Sequence, residues 1–254
     1  MTNKITARGL SVKLGKEEII RNVDFEIGPN EIAILIGPNG SGKTTLMRAL
    51  LGLTKIDQGS VKINGANNFE INPAQLAVQI GYLGQNVKPE WNMCVEDLVA
   101  LARLPHQELG ITTKSQDALA ITDALKALNI EHLRNRKIET ISGGELALVL
   151  LARVLAGKPK YIFADEPINH IDIAHQLRLV KALKNFCNGG GSVFAIIHDL
   201  SLAARLGTKF ALMKSGEIIV QGDAAILNAK NLEEVFEVEI VSVKVDSKSI
   251  FFAK

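Results

Sequence analysis

The chain has 254 residues, enough for one large domain with a subdomain, and 47% of them are hydrophobic, which excludes a wholly disordered chain. Its 29 basic and 27 acidic residues leave a net charge of +2, so we expect no nucleic-acid partner bound through a large basic face. The two cysteines, Cys94 and Cys187, form no Cys-x-x-Cys pair, so neither a disulfide framework nor a zinc site is indicated.

Membrane insertion is not expected from the sequence. The N-terminal stretch MTNKITARGLSVKLG has no apolar segment typical of a signal peptide. The apolar run LALVLLARVLAG is interrupted by Arg153 and is too short to cross a bilayer. We therefore expect a chain that works at a membrane only by docking on another protein.

Short apolar runs bounded by glycine or proline predict the strands of a sheet. The alternating segments ITARGLSVKL and VDFEIG predict an antiparallel edge, and more continuous runs predict buried strands at EIAILIG, SVKING, VQIGYLG, KYIFADEP, SVFAIIHD and TKFALMKSG. The helical pattern TTLMRALLGL follows the first of these runs, and AHQLRLVKALKNF precedes the fifth. Because strands alternate with helices, we expect an α/β fold with parallel strands.

The middle of the chain has mainly helical patterns, in VEDLVALARL, SQDALAITDALKALNI and GGELALVLLARVLA. We therefore predict a helical subdomain at residues 89–157. It is inserted into an α/β core that residues 1–88 and 158–254 form, so that residues 1–254 make a single domain.

A glycine-rich loop lies between the predicted strand EIAILIG and the helix that follows it. Its sequence GPNGSGKT matches the phosphate-loop pattern G-x-x-x-x-G-K-[ST] in the required strand–helix context. Glycines let the backbone wrap around phosphates, and the helix N-terminus attracts them. Lys43 is expected to reach the β- and γ-phosphates and Thr44 to bind Mg²⁺. The expected nucleotide-binding residues are Gly37, Pro38, Asn39, Gly40, Ser41, Gly42, Lys43, Thr44 and Thr45.

This loop alone leaves open a kinase, a GTPase or a motor ATPase, and a glycine-rich turn that binds nothing is the less favoured alternative.

Two other predicted strands end in residues suited to phosphate chemistry. Asp165 and Glu166 follow YIFA, at the carboxyl end of a strand, where ligand groups gather in α/β sheets. Asp165 could hold the water shell of Mg²⁺, and Glu166 could accept a proton from an attacking water. Without the phosphate loop, a simple turn before Pro167 would be favoured. His198 follows SVFAII and could donate to the γ-phosphate, although a lone histidine is more often structural.

The stretch ISGGE predicts a helix start, with Ser142 as the N-cap and Glu145 as its reciprocal partner in a capping box. Gly143 and Gly144 destabilise a first turn. We therefore expect this helix N-terminus to approach another group closely, and an exposed helix N-terminus attracts phosphate.

Together these motifs resemble those of the ATP-binding cassette ATPases, the motor subunits of transporters, in the family's order and over essentially the whole chain. GPNGSGKTT resembles the phosphate loop, ISGGE the signature motif, and YIFADE the Walker B strand with Glu166 as general base. Gln85 falls where the family's glutamine loop contacts Mg²⁺, water and the transmembrane partner. NHID, ending at Asp172, resembles the loop that crosses the dimer interface, and His198 matches the switch histidine.

The resemblance implies a P-loop NTPase (RecA-like) core with an antiparallel β subdomain and an inserted α-helical subdomain. It also implies a dimer in which ATP lies between the phosphate loop of one copy and the signature residues Ser142, Gly143, Gly144 and Glu145 of the other. Mg²⁺ would be bound by Thr44, Gln85 and Asp165. The implied partners are a second copy, integral membrane permease subunits at the cytoplasmic face of the inner membrane and, indirectly, a substrate-binding protein.

Two segments resemble importers of iron-siderophores, haem and cobalamin: VEDLVALARLPHQ and the tail NLEEVFEVEIVSVKVDSKSIFFAK. Zinc or manganese import, a soluble role in iron–sulfur cluster assembly, and a regulatory nucleotide binder remain alternatives. The sequence also departs from the family. Leu14 stands where an aromatic residue usually stacks on adenine, Gly84 where proline or serine is common, and Leu146, Ala147 and Leu148 where polar residues are usual.

Overall fold

The computed structural model describes residues 4–85, 92–167, 171–245 and 248–253. Within them the strands are β1 Ile5–Leu14, β2 Glu17–Ile27, β3 Ile32–Ile36, β4 Gln58–Ile63, β5 Ala66–Asn67, β6 Ile80–Leu83, β7 Tyr161–Asp165, β8 Ser192–Ile196, β9 Lys209–Lys214, β10 Glu217–Gly222, β11 Ile240–Val245 and β12 Lys248–Ala253. The helices are α1 Lys43–Leu50, α2 Pro73–Gln79, α3 Val95–Ala100, α4 Leu104–Glu108, α5 Lys114–Ala127, α6 Gly143–Ala156, α7 Ile173–Asn188, α8 Leu200–Leu206 and α9 Ala229–Phe236. The predicted α/β fold is confirmed.

The chain divides into two compact units. The first unit consists of Met1–Ile71 and Ser192–Lys254, and the second unit of Asn72–Gly191. The helical subdomain predicted at residues 89–157 falls within the second unit, and its boundaries stay a prediction. Among the described residues, no helix combines the length and apolar character that crossing a bilayer requires.

The first unit contains both antiparallel and parallel pairing. β1 pairs antiparallel with β2 and with β4, which confirms the antiparallel edge predicted from the alternating N-terminal segments. β3 runs parallel to β8 on one side and to β9 on the other, and β10 pairs antiparallel with β9. Every residue of β3 and β8 is buried, which explains why their sequences are continuously apolar rather than alternating.

The second unit is built around α6, which packs against α3, α5 and α7. Because neighbours surround it, α6 is buried over most of its length and carries apolar residues on nearly every face. Leu148, one of the three apolar residues where the family usually has polar ones, lies fully in this core, and Leu146 and Ala147 are half-buried. In the same unit β6 runs parallel to β7, with Leu83 opposite Ala164.

The segment predicted as one helix from VEDLVALARL is broken in the structure. α3 ends at Ala100, a 3-10 turn covers Leu101–Arg103, and α4 begins at Leu104 with Pro105 in its first turn. Proline lacks a backbone N–H and is tolerated only where a helix starts. The position of Pro105 therefore marks a new helix start.

Buried polar contacts attach this segment to the C-terminal end of α6. Arg103 donates from Nε to Asp117 Oδ1 at 2.8 Å and from Nη1 to the carbonyl of Ala156 at 3.0 Å. His106 Nε2 lies 2.9 Å from the carbonyl oxygen of Gly157. Burial raises the pKa of Asp117, but the hydrogen bonds that its carboxylate accepts, chiefly from Arg103, outweigh burial and hold the pKa below its ordinary value.

Candidate functional site

Close backbone contacts shape the loop between β3 and α1. A Cβ on Gly37 would lie 2.1 Å from the carbonyl oxygen of Met213 in β9, so no larger residue fits. Gly42, which precedes α1, has φ of 100° and adopts the left-handed conformation that glycine takes without strain. The two glycines therefore bring the loop against β9 and turn it into the helix.

This loop offers the groups that a phosphate chain needs. α1 starts at Lys43, and its N-cap residue Gly42 has no side chain to satisfy the first-turn N–H groups. Ser41 Oγ is buried and has no hydrogen-bond partner among the residues that the structure describes. Lys43 Nζ donates to the carbonyls of Gly37 at 2.9 Å and Pro38 at 2.8 Å, which hold the cation at the loop. These donors fit the anionic phosphates of a nucleotide.

Gln85 and Glu166 come together in the second unit because they follow neighbouring ends of the parallel strands β6 and β7. Gln85 Nε2 donates to Glu166 Oε2 at 2.6 Å. Glu166 is half-buried and has φ of 51°, a left-handed conformation that is uncommon for a non-glycine residue. Asp165, the last residue of β7, is buried. The hydrogen bond from Gln85 therefore holds the Glu166 carboxylate beside the end of β7.

The start of α6 has the predicted capping box. Glu145 N donates to Ser142 Oγ at 3.2 Å, and Ser142 N donates to Glu145 Oε2 at 2.8 Å. The backbone N–H of Ser142 is the main reason that the pKa of Glu145 lies below its ordinary value. Gly143 is exposed, and a Cβ there would meet nothing within 4 Å. The exposed turn therefore leaves room beside Gly143 for another molecule.

The two glycines predicted that this helix start lies close to another group. The close contact is at Gly144, and the group beside it is the ring of His175 in α7. A Cβ on Gly144 would lie 2.7 Å from Cγ and Nδ1 of the imidazole. Asp172 is the N-cap of α7: its Oδ1 accepts from Ala174 N at 2.9 Å, and its Oδ2 lies 2.6 Å from His175 Nδ1. The backbone N–H of His175, followed by its ring, holds the pKa of Asp172 below the ordinary value.

The sequence interpretation did not include His175. The available signal was its spacing, since an aspartate at a helix start and a histidine three residues later lie on adjacent turns.

The remaining residues singled out from the sequence lie in several different elements. His198 is half-buried in the first unit, between β8 and Asp199, whose Oδ1 caps α8 by accepting from Leu202 N at 2.9 Å. Thr44 is exposed in the first turn of α1. Leu14 ends β1 with 53% of its surface exposed. Asn169, the first residue of the NHID stretch, lies outside the described residues.

The comparison with known families decides the class of protein. Residues 20–169, more than half of the chain, match the family model described as "ABC transporter". The chain belongs to the ABC transporter family. Its predicted fold and its predicted ATPase class are thereby confirmed.

Two curated relatives of this ABC ATPase are similar over nearly their whole length. The hemin import ATP-binding protein HmuV of Rhizobium meliloti (strain 1021) is 33% identical over 245 residues, which cover 91% of this chain and 90% of that protein. The ferric enterobactin transport ATP-binding protein FepC of Escherichia coli (strain K12) is 32% identical over 235 residues, which cover 92% of this chain and 87% of that protein.

Solved structures share the fold of this ABC ATPase. A transporter of "metal-chelate type" in an inward-facing conformation superimposes with a TM-score of 0.85 at 24% identity, covering 100% of this chain and 98% of that chain. A dimeric ATP-binding cassette in a post-hydrolysis state, bound to ADP and Pi, has a TM-score of 0.75 at 26% identity. That match covers 86% of this chain and 98% of the solved chain.

Proposed function

We propose that this ABC ATPase powers the import of a metal chelate, such as an iron-siderophore, haem or cobalamin. The observation that carries the proposal is similarity over about nine-tenths of the chain to relatives named for hemin import and for ferric enterobactin transport. Identity to the two is nearly equal although their cargoes differ, so it supports the class of cargo rather than one compound. Zinc or manganese import and iron–sulfur cluster assembly are the competing functions.

The residue roles belong to the same proposal. The loop Gly37–Thr45 holds the phosphates of ATP through its backbone N–H groups and Lys43, and Glu166 takes a proton from the attacking water. His198 contributes a hydrogen bond at the γ-phosphate. Mg²⁺, when bound, supplies charge neutralisation at the phosphates, and the residues suited to hold it are Thr44, Gln85 and Asp165.

Gln85 has a second role in this scheme, because its amide donates to the Glu166 carboxylate and so orients the proposed base.

Partners follow from the family. We infer a dimer with a second copy, in which Ser142, Gly143, Gly144 and Glu145 of one chain meet the ATP that the phosphate loop of the other holds, with Asp172 near the interface. The solved cassette that is dimeric and bound to ADP and Pi supports the dimer. The dimer docks as a peripheral subunit on an integral membrane permease at the cytoplasmic face of the membrane. A substrate-binding protein delivers the chelate to the permease and acts on the ATPase only indirectly.

Uptake in the native cell tests the cargo class. Deleting this chain should lower the accumulation of one radiolabelled chelate among ferric siderophores, haem and cobalamin. Wild-type complementation should restore uptake, and a Lys43→Ala chain should not, because it lacks the cation of the phosphate loop. Unchanged uptake of every chelate, together with lost zinc or manganese uptake or defective cluster assembly, would replace the proposal with a competing function.

A further inference from the structure

His175 lies between two segments that the proposed mechanism uses but does not connect. On one side its Nδ1 contacts Asp172 at the start of α7. On the other side its ring lies against Gly144, in the first turn of α6. The side chain is 21% exposed, and that of Asp172 is 61% exposed.

The hydrogen-bond chemistry fixes the orientation of the ring. An ionised carboxylate only accepts, so His175 Nδ1 must be the donor in the 2.6 Å contact with Asp172 Oδ2. The same carboxylate also accepts from the backbone N of His175 at 3.1 Å, through Oδ1. Asp172 therefore contacts both the backbone and the ring of His175, so the ring can change direction only slightly.

Gly144 permits this placement at a cost to its own helix. Glycine inside a helix is destabilising by roughly 0.5–1 kcal/mol relative to alanine. An alanine methyl group at position 144 would lie 2.7 Å from Cγ and Nδ1 of His175, well inside van der Waals contact. The glycine is thus explained by the imidazole beside it, while the exposed Gly143 remains open to another molecule.

We propose that His175 is a positioning residue for ATP hydrolysis, which couples Asp172 to the signature turn Ser142–Glu145 so that the two move as one piece. The proposal rests on the proposed function, in which this turn meets the ATP of a second copy. A displaced imidazole would leave Asp172 and the turn free to shift separately. ATP held by the phosphate loop would then meet a poorly placed signature turn, and turnover would fall although binding to the loop persists.

A purely structural role makes a different prediction. The Asp172–His175 pair is partly exposed, and such pairs contribute little to global stability. His175→Ala should therefore leave the melting temperature close to that of the wild type. If His175 served only folding, any loss of activity would follow a loss of folded protein.

The test uses the purified full-length chain, with steady-state ATP hydrolysis, nucleotide affinity and Tm measured for each variant. His175→Ala should lower kcat at least tenfold, with Tm and the nucleotide affinity of the chain little changed. His175→Asn keeps an N–H donor at about the distance of Nδ1 from the backbone, so it should recover most of the loss. Lys181→Ala, an exposed change further along α7, is the matched control and should behave as wild type.

A double-mutant cycle tests the contact itself. Gly144→Ala should lower kcat because its methyl group displaces the ring. Because Gly144 itself belongs to the turn that meets ATP, Gly144→Ala should still lower kcat in the His175→Ala background, but by a smaller factor, since no ring is left there to displace. Three results would each overturn the proposal. The first is a double variant whose loss of kcat is the product of the two single losses. The others are a His175→Ala chain with wild-type kcat and a His175→Asn chain whose kcat is as low as that of His175→Ala.

Failure of the two proposals is distinguishable. Uptake in the native cell reports on the cargo, and the ratio of variant to wild-type turnover reports on His175. Chelate uptake that does not depend on this chain would overturn the import proposal and leave that ratio unaffected. Normal wild-type turnover with an unaffected His175→Ala chain would overturn the positioning role alone.

Discussion

Glu166 combines an uncommon backbone conformation with a short side-chain hydrogen bond. Its backbone has φ of 51°, and its carboxylate accepts a 2.6 Å hydrogen bond from Gln85. A left-handed non-glycine residue costs of order 1–3 kcal/mol and persists only where its surroundings enforce it. Such strain is found disproportionately at active sites, so the conformation and the hydrogen bond both favour a catalytic position for this carboxylate.

Replacing Glu166 by glutamine tests that position. Glutamine keeps the size of the side chain but cannot accept a proton, so turnover should fall about 10²–10⁴-fold while ATP binding is retained. Because no water is then activated, ATP-bound dimers should accumulate in size-exclusion chromatography with ATP. Glu139→Gln, an exposed change in the same unit, should remain active. A Glu166→Gln chain that hydrolyses ATP near the wild-type rate would exclude a general-base role.

Individual site residues could be predicted from sequence where their chemistry is local. The phosphate loop follows from spacing, and the capping box of Ser142 and Glu145 follows from residues three apart, which the structure confirms. His175 has the same three-residue spacing from Asp172, but that spacing alone does not single it out. Within AHQLRLVKALKNF it is one polar position of an amphipathic helix, and its importance depends on how closely α7 packs against Gly144.

At the scale of elements, α6 is held at both ends. The capping box satisfies its first turn. At the other end, Arg103 donates to the carbonyl of Ala156, and the ring of His106 contacts the carbonyl of Gly157. Cationic and N–H groups are favourable at a helix C-terminus, where the carbonyls lack partners within the helix. The segment that follows the glutamine loop is therefore attached to the helix that carries the signature turn.

The buried pair within this attachment should contribute strongly to stability. Asp117→Asn removes the charge that balances the buried Arg103, so the free energy of unfolding should fall by about 3–5 kcal/mol. Urea denaturation of the purified chain measures this loss. The matched control is Glu131→Gln, which breaks the exposed contact with Lys126 at 4.0 Å and should cost about 0–1 kcal/mol. If the free energy of unfolding fell equally in the two variants, the buried pair would stabilise the fold no more than the exposed pair does.

The pH dependence of this contribution has a definite sign. The fold holds the pKa of Asp117 below its ordinary value of 3.8. Between the two values the unfolded chain binds more protons than the folded chain, so this part of the stability is present above pH 3.8 and is lost as pH falls through the folded pKa. The stability difference between wild type and Asp117→Asn should therefore shrink on acidification through that range.

Element boundaries were less predictable than element types. Apolar periodicity runs through VEDLVALARL without a gap, and it predicted a single helix. The structure ends α3 at Ala100 and starts α4 at Leu104. Arg103 faces the interior at this break and is only 5% exposed. Its placement depends on long-range partners such as Asp117 and the carbonyl of Ala156, and local sequence does not reveal them.

At the scale of the whole molecule, two of the helices in the described part of the chain have N-termini suited to anions. One is α1, with its glycine-rich loop and Lys43, and the other is α6, whose exposed first turn is open beside Gly143. A symmetric dimer gives each copy the same surface, so a turn on one chain can complete a site on its partner in both directions. The family resemblance of the sequence implied this sharing.

Mixing two inactive variants tests whether the sites are shared. Lys43→Ala disables the phosphate loop, and Ser142→Arg puts a bulky cation into the signature turn, so each variant alone should be inactive. In a mixed dimer one composite site carries both defects and the other carries neither. If equal amounts exchange at random and the sites work singly, activity should recover to about a quarter of the wild-type value, because half of the dimers hold one intact site.

The control mixes Lys43→Ala with a chain that carries both changes, which leaves no intact site in any dimer, and it should stay inactive. A Ser142→Arg chain that is fully active by itself would refute composite sites, and a mixture no more active than this control would refute composite sites that work singly. The first result would place each ATP within one chain. The proposed role of His175 would then lose its basis, because the turn that it positions would meet no ATP from a second copy.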